Sequence, residues 1–299
     1  MTATGMSRWK AIGWTVAFFA SGIVAAIATG LILKRSGAPI SGLWLGVVAQ
    51  IAGFGLATWL IGRVALKWDL ADLRWRGTGD PAKGFGVGFV IGMVPALLAL
   101  AIAIPAGGAA WSLDGGSAID WLKAVGPLAL IMLPAAFSEE LLFRGVGYVA
   151  LSRAFGRLGP ALVLSILFGA AHLGNPNVTG LAVANVALAG VFLSAALWLP
   201  GGIWAATGVH LGWNLTLAAL GAPVSGLAFT LPMLDYATGG PTWLTGSAFG
   251  PEGGAIATII VGASAVLLFR WTSNPKAPGS WLLADRDSAS PQHGAVNSQ

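Results

Sequence analysis

The sequence predicts an all-α, polytopic transmembrane helical bundle, and its composition carries much of that prediction. Only 9% of the 299 residues are charged and 56% are hydrophobic, whereas a soluble domain carries roughly 25% charged residues. A water-soluble fold of this size has too little interior to cover so many apolar side chains. The same composition excludes a disordered chain, which requires low hydrophobicity and high net charge.

The spacing of the apolar runs adds a second observation, since a helix needs about 20 apolar residues to cross the hydrocarbon core. About eight spans are predicted: 11–33, 42–66, 84–106, 121–143, 158–173, 178–199, 203–220 and 254–271. The fifth run is short and lies between Gly-Pro and Gly-Asn-Pro, so seven spans is the alternative count. The first run is too long for a signal-peptide core and lacks a clear Ala-x-Ala exit, which predicts a retained span.

The basic residues predict the orientation of these spans. With the N-terminus inside, twelve of the sixteen Lys and Arg residues fall on the inner side and three on the outer side. Cytoplasmic loops carry such an excess, so both termini are predicted to be cytoplasmic. The net charge of +5 is spread singly between apolar runs. It therefore fits a topology signal better than a nucleic-acid surface, and no nucleic-acid partner is expected.

The chain predicts one transmembrane domain over 1–271 and a disordered cytoplasmic tail over 272–299, which is rich in Ser, Asn and Pro. Residues 67–83 are interpreted as a cytoplasmic amphipathic turn against the headgroups. The Gly- and Pro-rich segment 221–253 is either a re-entrant or lid-like segment or a long outer loop. Since cysteine is absent, disulfides, thiolate metal sites and cysteine nucleophiles are excluded.

Two acidic residues are out of place in this apolar sequence. Glu139 and Glu140 are adjacent in the run LIMLPAAFSEELLFRGVGY, and an ionisable group at membrane depth is by default a functional-site hypothesis. Glu140 and Arg144 are four residues apart and can pair along one helix face. Adjacent helical positions differ by about 100°, so the two carboxylates are expected to face different neighbours. The plainer alternative is a structural ion pair plus one acid at the helix end.

Two histidines lie in other predicted spans. His210 and Asn214 are four residues apart and project from one helix face, so both can donate hydrogen bonds toward one point. His172 stands alone near the end of its span, and a lone helical histidine is more often a packing residue. Ser138, Asn175 and Asn185 are interpreted mainly as contacts between helices. Buried polar groups are costly unless satisfied, so the three helices are expected to converge on a wet cavity.

These residue types together suit a hydrolytic reaction. A carboxylate next to a histidine is a plausible general base for water. A His/Asn donor pair is suited to stabilise the oxyanion of an attacked carbonyl. The combination predicts acyl-transfer hydrolysis without a Ser or Cys nucleophile.

At this point three ordered motifs carry a family resemblance. Glu139-Glu140-x-x-x-Arg144, Phe168-x-x-x-His172 and His210-x-x-x-Asn214 resemble those of the CAAX-protease and bacteriocin-processing family of intramembrane endopeptidases. This family is also called the Abi family and includes the type II CAAX prenyl endopeptidases. The resemblance covers roughly 120–220, the expected catalytic core, and the segment 241–252 resembles a loop that many bacterial members carry before their last helix.

The resemblance implies a multi-pass integral membrane endopeptidase, in the plasma or inner membrane if the chain is bacterial. Its partners would be the lipid bilayer and a membrane-bound peptide or lipidated protein substrate, such as a prenylated CAAX protein or a bacteriocin leader. Glu139 would activate water together with His172, and His210 and Asn214 would hold the oxyanion. Glu140 and Arg144 would support the site.

The resemblance leaves metal dependence open, because the family has been interpreted both as metalloproteases and as glutamate proteases. No His-Glu-x-x-His helix is present to bind zinc, so a reaction without a cofactor is favoured. If a divalent metal such as zinc takes part, its expected ligands are Glu139, His172 and His210.

Two other classes of protein remain as alternatives. One is a non-proteolytic bacteriocin-immunity or scaffold protein that keeps the motifs for binding. The other is a proton-coupled transporter, since Glu, His and Arg within a membrane also mark ion pathways. Transporters often show repeat symmetry and paired broken helices, neither of which is evident in this sequence.

Overall fold

The computed structural model describes residues 6–37, 39–75, 79–105, 109–113 and 115–274. It is 73% helical with almost no sheet, which confirms the predicted all-α class. The helices are α1 (Arg8–Arg35), α2 (Gly42–Ala57, continued by a π-helical stretch, Thr58–Ala65), α3 (Pro81–Ala103), α4 (Ala118–Arg144), α5 (Val146–Phe155), α6 (Leu158–Ala171), α7 (Gly180–Ala196), α8 (Ile203–Ala219), α9 (Thr242–Thr245) and α10 (Ala255–Ser273). Two short strands, β1 (Ala109–Ser112) and β2 (Asp235–Thr238), pair antiparallel.

Each of the eight predicted spans coincides with a helix. Within the described residues, five helical stretches are long and apolar enough to cross a membrane: α1, α2 with its π-helical continuation, α3, α4 together with α5, and α10. The shorter α6 has 14 residues, so it is about 21 Å long against a hydrocarbon core of about 30 Å. Non-helical backbone at membrane depth must be covered by protein or line a wet cavity. The turn that follows α6 is therefore expected to be enclosed by other parts of the bundle.

The exact number of spans and the cytoplasmic location of both termini remain predictions. The helix α10 ends at Ser273, so the first two residues of the predicted tail, 272–273, are helical. The rest of the predicted tail, 275–299, lies outside the described residues.

Side-chain caps explain where several of the helices begin. The backbone N–H groups of the first helical turn have no intrahelical acceptor, and a polar side chain just before the helix accepts from one of them. Such capping residues precede α1, α2, α3, α4 and α7: Ser7, Ser41, Asp80, Ser117 and Thr179. Each cap contributes about 1 kcal/mol, so these starts are determined locally by the sequence.

Glycines bring α3 and α8 into direct backbone contact. A Cβ atom added to Gly92 of α3 would lie 2.0 Å from the carbonyl oxygen of Val209, and one added to Gly212 of α8 would lie 2.1 Å from that of Phe89. Close approach through small residues is a common way for helices to associate in a bilayer. The glycines at this interface are Gly88 and Gly92 on α3, with Gly208 and Gly212 on α8, while Gly84 of α3 packs against Pro200 and Gly201 in the turn before α8. This packing holds α8, the helix that carries His210 and Asn214, at a set depth and rotation.

The predicted cytoplasmic ends of several helices lie together at one end of the bundle. Arg74 donates from Nε to the carbonyl oxygen of Leu197 at 2.8 Å, and its own carbonyl oxygen accepts from Ile203 N–H at 2.9 Å. The turn that carries Arg74 is therefore hydrogen-bonded to both sides of the loop that connects α7 and α8. At the same end Arg153 pairs with Asp72 at 2.6 Å.

The segment 221–253 folds back into the bundle at the other end. Just before the segment, at the end of α8, the carbonyl oxygens of Leu220 and Ala219 accept from the indole N–H groups of Trp111 and Trp121, at 2.7 and 2.8 Å. Farther along the segment, Phe249 is fully buried and Glu252 is only 8% exposed. This burial favours the re-entrant interpretation of the segment over that of a long outer loop.

The glycine interface generates a prediction with a matched control on the same helix. Gly88→Ala would place a Cβ 2.2 Å from the carbonyl oxygen of Ala205, whereas a Cβ at Gly86 meets nothing within 4 Å. We expect Gly88→Ala to lower the free energy of unfolding by about 1–3 kcal/mol, as overpacking does. Gly86→Ala should leave it unchanged or raise it, since Ala favours helix. Thermal unfolding in one detergent checks both, and equal melting temperatures for the two variants would contradict the interface.

Candidate active site

The predicted site residues come together around one cavity of about 300 Å³. Glu139, His172, His210 and Asn214 all line it. Much of the remaining wall is apolar and includes Ile131, Met132, Phe143, Phe168, Val186, Phe192, Leu193 and Val209. Residues from α4, α8 and the end of α6 therefore meet at one place, as the sequence predicts.

Glu140 and Arg144 form a buried ion pair behind this cavity. Arg144 Nη1 lies 3.2 Å from Glu140 Oε1, and both side chains are essentially inaccessible to solvent. Arg144 also donates from Nη2 to the carbonyl oxygen of Gly190 at 2.9 Å. Charges this deep cost several kcal/mol each to desolvate, so the extra hydrogen bond matters for keeping the pair in place.

His210 lies between the two neighbouring glutamates. Its Nδ1 is 2.8 Å from Glu140 Oε1, and its Nε2 is 3.7 Å from Glu139 Oε2, which is beyond hydrogen-bonding distance. The expectation that the two carboxylates face different neighbours therefore holds only in part. The rotation between positions 139 and 140 does place Glu139 on the cavity and Glu140 in the core. The imidazole from α8, however, fills the space between them and contacts both.

His172 caps the end of α6 and has a defined tautomer. Its Nδ1 is 2.8 Å from the carbonyl oxygen of Phe168. A carbonyl oxygen can only accept, so Nδ1 carries the proton and Nε2 of the neutral ring presents a lone pair. Nε2 is thus the ring nitrogen that can take a proton.

Phe168 explains why an aromatic residue precedes His172 by one turn. Its ring centroid lies 4.8 Å from that of His172 and 6.1 Å from that of His210. The guanidinium carbon of Arg144 lies 4.8 Å from the same ring. A cation above an aromatic face is stabilised by the ring quadrupole, so Phe168 packs against both histidines and against the buried charge.

Four polar cavity residues were not among the predicted site residues: Gln50, Asn175, Ser225 and Glu252. Gln50 accepts a hydrogen bond from Ser138 at 2.9 Å and so links α2 to the residue before Glu139. Gln50 is the one amide side chain in α2, and a polar residue within an apolar span is a candidate functional residue. The sequence could therefore have indicated Gln50 in the same way as it indicated the two glutamates. Glu252 could not be identified as a polar residue within an apolar span, because it lies in a Gly- and Pro-rich segment that resembles an exposed loop.

The predicted contacts between helices hold in part. Asn185 accepts from Thr258 of α10 at 2.7 Å and donates to the carbonyl oxygens of Glu252 and Gly254, so it joins α7 to α10. Asn175 instead donates to the carbonyl oxygen of Ser225 at 2.8 Å. It therefore binds a loop and not a helix, because α6 ends before it.

The alternative metal site has no ligand cluster in the part of the chain that the structure describes. There, no three His, Asp or Glu side chains are grouped so that they could hold a metal ion. The set Glu139, His172 and His210 therefore does not form a ready metal centre in this arrangement. Metal-free hydrolysis remains a prediction.

The fold and the cavity define a polytopic membrane protein whose acid, histidine and amide side chains meet in a largely apolar interior. Residues 121–216 match the family model described as "Type II CAAX prenyl endopeptidase Rce1-like". The match begins in α4 and ends in α8, so it contains all six predicted site residues. No curated protein and no solved structure matches the chain.

Over residues 121–216 the chain is therefore similar to this family, which agrees with the resemblance predicted from the three motifs. With five helices among the described residues able to span a membrane, the chain is an integral membrane protein.

The buried ion pair generates a prediction with an exposed pair as its control. Arg144→Leu leaves the Glu140 carboxylate buried without its cation, and breaking a buried pair costs about 3–5 kcal/mol. Arg153→Leu breaks the pair with Asp72, whose side chains are 31% and 40% exposed, and surface pairs contribute about 0–1 kcal/mol. We expect a far lower melting temperature for Arg144→Leu than for Arg153→Leu in one detergent. Similar losses in the two variants would argue against the structural role of the buried pair.

Proposed function

We propose that this protein is an intramembrane endopeptidase that hydrolyses a peptide bond of a membrane-associated substrate in the cavity at Glu139. One observation carries the proposal: a carboxylate, two imidazoles and a carboxamide from three parts of the chain line a single cavity with largely apolar walls. The family match over 121–216 supports the same class of activity.

Water activation is assigned to Glu139 with His172. The Glu139 side chain is 31% exposed, and among the described residues its Oε2 atom has no hydrogen-bond partner. His172 presents its Nε2 lone pair, because Nδ1 is bonded to Phe168. Both groups can accept a proton from a water molecule, and a positioned base of this kind contributes typically about 10²–10⁴-fold to a rate.

The reaction then balances without a covalent enzyme intermediate. The water oxygen attacks the carbonyl carbon of the scissile bond while its proton passes to Glu139. The C–N bond breaks as that proton is delivered to the leaving nitrogen. The products are a new carboxylic acid and a new amine, and Glu139 returns to its ionised form. The acid then gives its proton, the second proton of the water, to the amine, so that a carboxylate and an ammonium group leave the site.

The oxyanion is assigned to His210 and Asn214. Glu140 accepts the Nδ1–H of His210 and so orients the ring with Nε2 near Glu139. With a second proton on His210, the charges of Glu139, Glu140, Arg144 and His210 sum to zero, which a low-dielectric interior favours. Nε2–H is then a donor on the cavity side, and Asn214, one helical turn away, lines the same cavity. Loss of one such donor costs other hydrolases about 10²–10³-fold in kcat.

The cavity wall suits an apolar substrate segment. The side chains of Ile131, Met132, Phe192 and Leu193 line it near the polar groups. A lipid chain or apolar residues next to the scissile bond would be bound there by burial of apolar surface. The substrate is accordingly a lipidated protein of the prenylated CAAX kind or an apolar membrane peptide of the bacteriocin-leader kind.

The hydrolytic roles are tested by removing one base at a time. Purified protein in liposomes is incubated with a prenylated CAAX peptide and with an unmodified membrane-peptide library, and products are identified by mass spectrometry. We expect Glu139→Gln and His172→Ala each to lower the cleavage rate by about 10²–10⁴-fold. Asp120→Asn, at an exposed carboxylate in the first turn of the same helix, should retain the wild-type rate.

Different outcomes of this assay separate the competing functions. Equal cleavage by wild type, Glu139→Gln and His172→Ala would refute the assigned roles. Peptide binding without cleavage by wild type would favour an immunity or scaffold protein. Proton flux into the same liposomes, recorded with a pH-sensitive dye and lost in Glu139→Gln, would favour a transporter.

Metal dependence is tested on the active protein. A metal-free reaction predicts an unchanged rate after dialysis against a strong zinc chelator, and less than stoichiometric zinc by elemental analysis of the purified protein. A rate lost on chelation and restored by added zinc would overturn this expectation. Retained zinc in the wild type that is lost in His172→Ala would then identify a ligand.

A further inference from the structure

Glu252 is a buried acid that none of the three motifs contains and that has no role in the proposed hydrolysis. It is 8% exposed and lies three residues before α10. Its side chain lines the same cavity as Glu139, His172, His210 and Asn214. A carboxylate in such a place needs hydrogen bonds to offset its desolvation.

Three donors meet the Glu252 carboxylate. Trp213 donates from its indole Nε1–H to Oε1 at 3.0 Å. The Ser225 hydroxyl donates to Oε2 at 3.0 Å, and the Ser225 backbone N–H donates to the same oxygen. An ionised carboxylate only accepts hydrogen bonds, so it matches this set of donors.

These bonds belong to a longer chain of contacts that joins two parts of the proposed site. The carbonyl oxygen of Ser225 accepts from Asn175 Nδ2 at 2.8 Å, and the Asn175 backbone N–H donates to the carbonyl oxygen of His172 at 3.0 Å. At the other end, Trp213 is the residue before Asn214. We call Asn175, Ser225, Glu252 and Trp213 the Glu252 bridge.

The backbone around Ser225 shows that the bridge holds a conformation that is otherwise unfavourable. Ser225 has φ +49°, in the left-handed region that residues other than Gly rarely adopt. The next residue, Gly226, passes so close to the turn after α6 that an added Cβ would lie 2.1 Å from the carbonyl oxygen of Pro176. The two hydrogen bonds from Ser225 to Glu252 stabilise this tight crossing.

The bridge is also anchored on its far side. Asn185 of α7 donates to the backbone carbonyl oxygen of Glu252 at 2.8 Å and to that of Gly254 at 2.9 Å. The main chain of Glu252 is therefore held against α7 while its side chain reaches α8. This arrangement gives the carboxylate a defined direction and does not leave it on a mobile loop.

From this geometry we propose that Glu252 is a positioning residue, which sets the distance between the His172 turn and the Asn214 face of α8. The inference rests on the proposed function, in which His172 helps to activate water and Asn214 binds the oxyanion. A base and an oxyanion donor act on the same carbonyl group, and a misplacement of about 1 Å can cost 10²-fold in rate. A brace between the two elements that carry them is therefore a kinetic requirement of the site.

The test replaces one carboxylate oxygen by an amide nitrogen. In Glu252→Gln the side-chain NH₂ faces either the Trp213 donor or the Ser225 donors, so at least one hydrogen bond becomes a contact between two donors. We expect kcat to fall by about 10–100-fold while KM changes by less than about 3-fold, because the apolar substrate wall is untouched. Trp213→Phe should lower kcat less, and Glu252→Gln/Trp213→Phe should be no slower than Glu252→Gln alone, since coupled residues are not additive.

The matched control is Asp235→Asn, the same chemical change at an exposed acid of β2 in the same segment. It should leave kcat and KM at wild-type values. A wild-type kcat for Glu252→Gln would overturn the inference, and so would a loss in which KM rises in proportion. In both cases the proposed function stands if Glu139→Gln abolishes cleavage.

Hydrogen–deuterium exchange supplies a measurement that does not depend on activity. In Glu252→Gln, but not in Asp235→Asn, peptides covering 172–177 and 223–227 should exchange faster. Both segments are held in place through the hydrogen bonds of the Glu252 carboxylate, which the variant weakens. Unchanged exchange in these two peptides overturns the inference even if the wild type cleaves nothing. Inactive wild type with faster exchange in the variant would instead count against the proposed function and leave the brace established.

Discussion

The structure depends on a charge cluster placed where a membrane protein can least easily accommodate one. Glu140, Arg144 and His210 are joined by contacts of 3.2 and 2.8 Å with almost no exposure. Desolvating such groups costs several kcal/mol each, and only mutual pairing in a fixed geometry offsets that cost. Arg144 also reaches Gly190 of α7 and lies above Phe168 of α6. Four helices are thus tied to one ion cluster, which in turn orients the ring of His210 toward Glu139.

Two kinds of packing build a cavity around that cluster. Backbone contact through glycines presses α8 against α3, which sets the depth of His210 and Asn214. The short α6 ends at Ala171, so His172 lies at a helix end and not along a continuous span. The gap beyond α6 is closed by the segment 221–253, which brings Ser225 and Glu252 into the cavity wall. A helix that stops short and a loop that folds inward therefore create the space that a substrate and a water molecule would need.

Much of the fold and part of the site could be predicted because the relevant signals are local. Hydrophobic length and helix caps are properties of short stretches, and all eight predicted spans coincide with helices. Charges are so scarce that Glu139, Glu140 and Arg144 were conspicuous within their apolar run. Glu252 was missed for the opposite reason. Its neighbours Gly250, Pro251 and Gly253 are typical of an exposed loop, and only the return of that loop into the bundle buries it.

The sequence by itself determined the membrane class, the positions of the helices, the Glu140–Arg144 pair and the motif residues of the family. These depend on composition and on the helical repeat, which act over a few residues. The tertiary structure alone decided that one imidazole contacts both glutamates, that five motif residues share a cavity, and that Glu252 braces it. Such contacts join residues 27 to 70 positions apart. Their geometry follows from how whole helices pack, and no local pattern in the sequence encodes a distance between two helices.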